Sequence, residues 1–118
     1  MQYISYVIIK LNDMRIFMAT SKEFRDYVVE QLSDLGNITC RPMMGEYLLY
    51  YKDILFGGIY DERVLVKNVP SNQCFDMSLE IPYTGAKPMY MIEEIENKEY
   101  MYQIILDTCK SLKPKEKK

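Results

Sequence analysis

Three short apolar runs lie close together in the middle of the chain and predict neighbouring strands. The runs span residues 47–51, 54–60 and 63–67, and aromatic and β-branched residues dominate them, as is typical of strands. Only two polar residues separate each run from the next, namely Lys52-Asp53 and Asp61-Glu62. Because such short connections join antiparallel strands, the pattern predicts consecutive tight hairpins.

Both sets of alternating positions in the first two runs are apolar. In the first run, Tyr47, Leu49 and Tyr51 point one way and Leu48 and Tyr50 the other; in the second, Ile54, Phe56 and Tyr60 oppose Leu55 and Ile59. A sheet covered on one face alternates more cleanly with polar residues. We therefore expect helices on one face and either a second subunit or a ligand groove on the other. Gly57 and Gly58 predict a bulge or a close backbone approach in mid-strand.

A helix is predicted upstream of these strands. Thr20 and Glu23 have the spacing of a capping box, and Gly36 supplies the left-handed residue that ends a helix. Between them, apolar and neutral residues recur at steps of three and four and form one stripe: Phe24, Tyr27, Val28, Gln31, Leu32 and Leu35.

The remaining chain predicts two more strands and a second helix. Residues 38–41 form a short strand that Pro42 either ends or places at a sheet edge. A connector with one helical turn near residues 73–76 leads to a loop over residues 81–88, and residues 89–94 form the last strand. Asn97 then caps a helix that runs to about Leu112.

The predicted fold is a two-layer α+β domain, with a mostly antiparallel sheet of about five strands and the N- and C-terminal helices on one face. The second helix has an inner stripe and also a second apolar flank of Tyr102, Leu106 and Cys109. Stripe and flank together make an apolar surface that is wider than a helix packed on one side requires. Together with the two-sided apolar sheet it predicts a homodimer.

The central stretch also resembles a known family. It contains Arg41-Pro-Met-Met-Gly-Glu-Tyr47, Tyr50-Tyr51, Phe56-Gly-Gly-Ile-Tyr-Asp61 and Leu65-Val-Lys67. This pattern is similar to the core of the N-terminal domain of the TfoX/Sxy family, small bacterial proteins named after a regulator of natural competence. Asp53 departs from it, because a hairpin glycine is more usual there, and this leaves the turn type open.

The resemblance sets the expected domain boundaries. It covers residues 18–112, so we expect residues 1–17 to be an N-terminal extension and Met18 to be the true start of the protein. Residues 113–118 form a lysine-rich tail that is predicted to be disordered.

Composition narrows the possible functions. The chain has no histidine, which removes histidine-dependent catalysis and histidine metal ligation. Its three widely spaced cysteines form no metal or disulfide pattern, which favours a reducing cytoplasm. Residues 110–118 have a charge of +4 within a net charge of −2, so the body is acidic and direct nucleic-acid binding is not expected. No apolar run approaches the ~20 residues that span a bilayer.

The resemblance implies a non-enzymatic cytoplasmic protein that acts through protein contacts in gene regulation, without a cofactor or metal. Its partner would be a transcription factor or a polymerase component. The candidate contact surface is Arg41, Glu46, Tyr50 and Lys67. The alternative for the three charged residues is a structural ion pair or solvated strand ends. The alternative function is a small-molecule or peptide-binding domain that uses the second sheet face as a groove.

Overall fold

The computed structural model describes residues 19–112. The predicted N-terminal extension, the start at Met18 and the lysine-rich tail lie outside the described residues. Within this range, two helices flank six strands in the order α1 (Lys22–Leu32), β1 (Ile38–Met43), β2 (Glu46–Tyr51), β3 (Ile54–Tyr60), β4 (Arg63–Val66), β5 (Ser78–Glu80), β6 (Met89–Ile92) and α2 (Lys98–Leu112). One 3-10 turn, Ser33–Leu35, extends α1, and another, Pro70–Cys74, follows β4.

The strands form an antiparallel sheet with the order β1-β2-β3-β4-β6-β5. This confirms the α+β prediction, with one strand more than expected. The additional strand is β5, whose three residues are too few to show a period. Pro42 lies within β1 at the edge of the sheet, where the missing N–H of proline is tolerated. The helical turn of the connector lies at Pro70–Cys74, before the predicted position.

One hydrophobic core lies between the sheet and both helices. Its fully buried members come from every layer: Val28, Leu32, Leu49, Phe56, Ile59, Val64, Val66, Ile92, Met101, Ile104, Ile105 and Cys109. Each large aliphatic or aromatic side chain buried in this way contributes about 1.5–3 kcal/mol. The helices therefore cover one face, as predicted, and we call the opposite face of the sheet the outer face.

The second apolar flank of α2 packs partly within the chain. The Tyr102 hydroxyl donates a hydrogen bond to the Gln31 carbonyl of α1 (2.8 Å), and Cys109 is buried in the core. Leu106 is exposed. Contact between the two helices thus accounts for much of the apolar surface of α2 that we had expected a second subunit to cover.

The two-residue hairpin loops of β1–β4 are type I′ turns, because both central residues of each loop have positive φ. The loops are Met44-Gly45, Lys52-Asp53 and Asp61-Glu62. Asp53, with a φ of 68°, adopts the left-handed conformation without being glycine. The turn type that the sequence left open is therefore fixed.

The predicted bulge lies in β3 and changes which residues share a face. Leu49 pairs with Gly57 and Tyr50 pairs with Leu55, so Phe56 is the extra residue. Beyond the bulge the alternation is inverted. Ile59 joins Phe56 in the core, whereas Tyr60 lies on the outer face. The prediction that Tyr60 shares the face of Phe56 was wrong for this reason.

Of the two predicted helix N-caps, one was wrong and the other is confirmed. The predicted cap Thr20 was wrong, because Ser21 is the N-cap of α1 and its hydroxyl accepts from the Phe24 N–H (3.1 Å). Asn97 caps α2 as predicted, accepting from the Tyr100 N–H (3.1 Å). Gly36, with a φ of 79°, ends the 3-10 turn that follows α1.

Candidate functional site

A groove of about 520 Å³ opens on the outer face of the sheet. Its floor is formed by strand side chains that include Met43, Leu48, Leu55 and Tyr60. Its far wall is formed by residues of the 82–88 loop, which connects β5 to β6. The groove exists because the inverted alternation of β3 and the long β5–β6 connection both bring side chains to this face.

Arg63 links the loop that forms the groove wall to the sheet through hydrogen bonds. Its Nε donates to the Tyr60 carbonyl (3.1 Å), and its Nη2 donates to the carbonyls of Ile81 (3.0 Å) and Pro82 (3.2 Å). Its Nη1 lies 3.7 Å from a Glu80 carboxylate oxygen. A planar guanidinium can bond several acceptors at once, so one side chain fixes where the loop begins.

A tight turn then shapes the loop itself. The Ala86 N–H donates to the Tyr83 carbonyl (3.0 Å), and Gly85 has a φ of 86°, as a type II turn requires at its third residue. The Tyr83 ring lies 6.0 Å from the Tyr60 ring, centroid to centroid. Contacts within the protein itself therefore shape the wall.

The groove is apolar apart from a few groups. The charged side chains of its lining are Lys67 and Lys87. Tyr60 is a buried phenol, and burial, reinforced by the neighbouring Tyr83, Glu46 and Tyr50, raises its pKa to about 12. Tyr60 is therefore neutral at ordinary pH.

Three of the four predicted contact residues belong to this face. Lys67 lines the groove. Arg41 lies over the Tyr50 ring, with its guanidinium carbon 5.3 Å from the ring centroid, a cation–π distance. Tyr50 pairs with the groove residue Leu55 across the sheet. These three side chains therefore share the outer face, and their role as a contact surface stays a prediction.

Glu46 belongs instead to the scaffold. Its Oε1 accepts from the Thr20 hydroxyl (3.1 Å) and from the Asp61 N–H (3.0 Å). Burial raises the pKa of Glu46, and these hydrogen bonds only partly offset that effect. The ion pairs found among residues 19–112 do not join Glu46 to Arg41 or Lys67.

Other residues of the groove were missed by sequence reasoning. Tyr60 was assigned to the wrong face, and Tyr83 and Lys87 lie in a loop that has no hydrophobic period. The only local signal was the pair Pro82 and Pro88 with Gly85 between them, which predicts a loop but not where it packs.

Two of the three cysteines lie in environments that suppress nucleophilic chemistry. Burial raises the pKa of the Cys109 thiol to about 11 and also raises the pKa of Cys40, which makes both poor nucleophiles at neutral pH. Within residues 19–112, no group of three or more acidic or cysteine side chains could hold a metal ion. None of the helices in that range is long and apolar enough to cross a membrane.

Comparison with known proteins gives a relative whose function is not established. Over 91 residues the chain is 30% identical to an uncharacterized 12.7 kDa protein in the trpE 5' region of Spirochaeta aurantia. The match covers 75% of this chain and 79% of the relative. The chain belongs to the family of this spirochaete protein. No established protein-family profile matches the chain. Membership in the spirochaete protein's family therefore brings no activity with it.

Proposed function

We propose that the protein is a non-enzymatic binding module and that the outer-face groove is its ligand site. One observation supports this above all others, namely an apolar groove of about 520 Å³ with a few polar groups around it. Sites for small ligands have volumes of roughly 300–1,000 Å³ and this same mixture of apolar surface and few polar groups.

The side chains of the groove favour binding over catalysis. Its ionisable groups are two lysines and phenols such as Tyr60, whose pKa is raised to about 12. A general acid–base catalyst works best with a pKa near the operating pH. Lys67 and Lys87 can hold a ligand by charge, and Tyr60 can donate a hydrogen bond.

Native mass spectrometry of protein purified from its own cells tests the proposal. We expect the wild type to contain a bound small molecule that is lost on denaturation. Leu55→Arg places a charged side chain on the groove floor and should abolish this binding. Leu106→Arg is the matched control, because Leu106 is exposed on α2 on the helical side of the molecule. Equal ligand content in the two variants would contradict the proposal.

A second candidate function is supported by the family resemblance in residues 41–67. In it, the protein is a cytoplasmic protein-interaction module of the TfoX/Sxy type, and a transcription factor or polymerase component contacts Arg41, Tyr50 and Lys67. The cation–π pair of Arg41 and Tyr50 beside the groove favours this candidate, since aromatic residues and arginine are enriched at protein interfaces.

A photo-crosslinking amino acid at two positions separates the two candidates. Placed at Tyr50, it should form an adduct with a transcription protein in living cells. Placed at Gln103, which is exposed on α2, it should not. Adducts of equal yield at both positions would contradict a specific contact at the outer face.

A further inference from the structure

We propose that the ligand of the outer-face groove is a small carboxylate with an apolar body. This inference rests on the proposed binding function and adds the chemical class of the ligand. Its starting point is the sign of the charge in the groove. Both charged side chains of the lining are lysines, although the whole chain has a net charge of −2. A cleft lined by one sign of charge concentrates ligands of the opposite sign.

Within residues 19–112, no carboxylate forms a salt bridge with either lysine. The salt bridges among residues 19–112 join Arg25 to Asp26, Arg63 to Glu80 and Lys98 to Asp34. None of them involves Lys67 or Lys87. An anionic group of a ligand would therefore find two ammonium groups that have no competing carboxylate partner within that range.

The rest of the groove defines the body of the ligand. Leu48 and Leu55 form an aliphatic floor, and Met43 of β1 and Met89 of β6 also line the groove. Methionine side chains are flexible and polarizable, so they adapt to apolar ligands of different shapes. A hydrocarbon or aromatic body fits this surface, whereas a sugar or a nucleotide would leave its polar groups without partners.

The kind of anion follows from the donors that are present. Phosphate sites typically use arginine forks or the backbone amides of a helix N-terminus. The groove lining contains neither, since its cations are lysines and its helical residue, Leu112, is the last residue of α2. Lysine acts as a point charge and can pair with a single carboxylate group without the forked geometry of a guanidinium.

Four decyl compounds test the inference on the intact protein. We would titrate decanoate, decanol, decyl phosphate and decyltrimethylammonium while following backbone amide resonances by NMR. We expect decanoate to shift the amide resonances of residues 83–87 and of Met89, and to bind about tenfold more tightly than decanol, as one charge-assisted hydrogen bond would produce. The cationic compound should bind most weakly.

Variants assign the effect to the lysines. Replacing both, Lys67→Gln with Lys87→Gln, should weaken decanoate binding about tenfold and leave decanol binding within about twofold. Lys22→Gln, at the exposed start of α1, is the control and should change neither. Equal affinities for decanoate and decanol would overturn the anionic class and leave the groove as an apolar site. Tighter binding of decyl phosphate would overturn the carboxylate. Failure of all four compounds to shift groove resonances would overturn the proposed function itself.

Discussion

At the scale of single residues, Glu46 connects three separate parts of the chain through one carboxylate. The Thr20 hydroxyl donates to this carboxylate and also accepts from the Glu62 N–H (3.1 Å). The Asp61 N–H donates to the same Oε1. The start of β2, the segment before α1 and the β3–β4 turn thus meet at this point. The capping-box spacing of Thr20 was misleading because its hydroxyl is used here, and Ser21 takes the cap.

The raised pKa of Glu46 gives a pH dependence with a definite sign. Burial favours the neutral carboxyl in the folded state, so its folded pKa lies above the unfolded value of about 4.3. Its stabilising contribution is complete below that pH and is lost as the pH rises through the folded pKa. Glu46→Gln keeps an acceptor for Thr20 and Asp61 but does not titrate. We therefore expect the variant to gain stability relative to wild type between pH 4 and pH 7.

Urea unfolding at the two pH values measures this change. Glu99→Gln, an exposed substitution in the first turn of α2, is the control and should show a smaller pH dependence. If Glu46→Gln instead loses stability relative to wild type as the pH rises, the hydrogen bonds to the ionised carboxylate outweigh its desolvation.

The strained turn residue Asp53 offers a second test. Asp53 is exposed and has a φ of 68°, a region in which glycine is free of the Cβ strain. Asp53→Gly should raise the free energy of unfolding by about 0.5 kcal/mol, measured by urea unfolding. Asp61 has a similar φ of 54° but is fully buried, so Asp61→Gly should destabilise the protein. Equal effects at the two positions would contradict this explanation.

At the scale of elements, the glycines of β3 allow neighbouring strands to approach closely at the bulge. A Cβ on Gly57 would lie 2.1 Å from the Leu65 carbonyl oxygen and 2.9 Å from the Val66 Cα. Both contacts are with backbone of the neighbouring β4, so the strands would have to separate. The sequence predicted a bulge or a close approach here, and the structure shows both.

Gly57→Ala should therefore destabilise the protein by more than about 2 kcal/mol, as overpacking of a rigid site does. Gly85→Ala is the matched control. No atom lies within 4 Å of a Cβ there, and only its φ of 86° opposes the change, at a cost of about 1 kcal/mol. Circular dichroism during urea unfolding measures both. A smaller loss for Gly57→Ala than for Gly85→Ala would contradict the steric explanation.

The elements that could be predicted are those with a strong period or a definite cap. The stripe of α1 and the Asn97 cap of α2 belong to this class, as do the paired polar residues that mark the hairpins. The outer-face position of Tyr60 was not predictable, because one bulged residue inverts every later position. Within the stripe of α1, Tyr27 was expected to be buried but is 43% exposed. The positions of the wall residues Tyr83 and Lys87 depend on the hydrogen bonds that Arg63 donates to the start of their loop. No local sequence pattern encodes these bonds.

At the scale of the whole molecule, β5 is the outermost strand next to β6 and exposes apolar side chains. Leu79 within it is 50% exposed, and Ile81 just after it is 39% exposed. Exposed edge strands with apolar residues pair readily with another chain. The predicted homodimer is thus best placed at this edge.

Sedimentation equilibrium tests the placement of the dimer. We expect the wild type to be a dimer and Leu79→Lys to be a monomer, because a lysine on an edge strand opposes pairing. Leu106→Lys removes an exposed leucine from α2 and should remain dimeric. A wild type that is monomeric at micromolar concentrations, or a dimeric Leu79→Lys, would rule out this edge as the interface.

The position of β6 between β4 and β5 has a consequence for folding kinetics. The strands β1 to β4 pair with their sequence neighbours, and such local contacts form early. Residues 67–88 separate β6 from β4 in the sequence. The wall of the groove takes its final position only after these two strands pair. If the β1–β4 meander is the folding nucleus, the groove is thus completed after the rate-limiting step of folding. A ligand bound in it should then slow unfolding and leave the refolding rate almost unchanged.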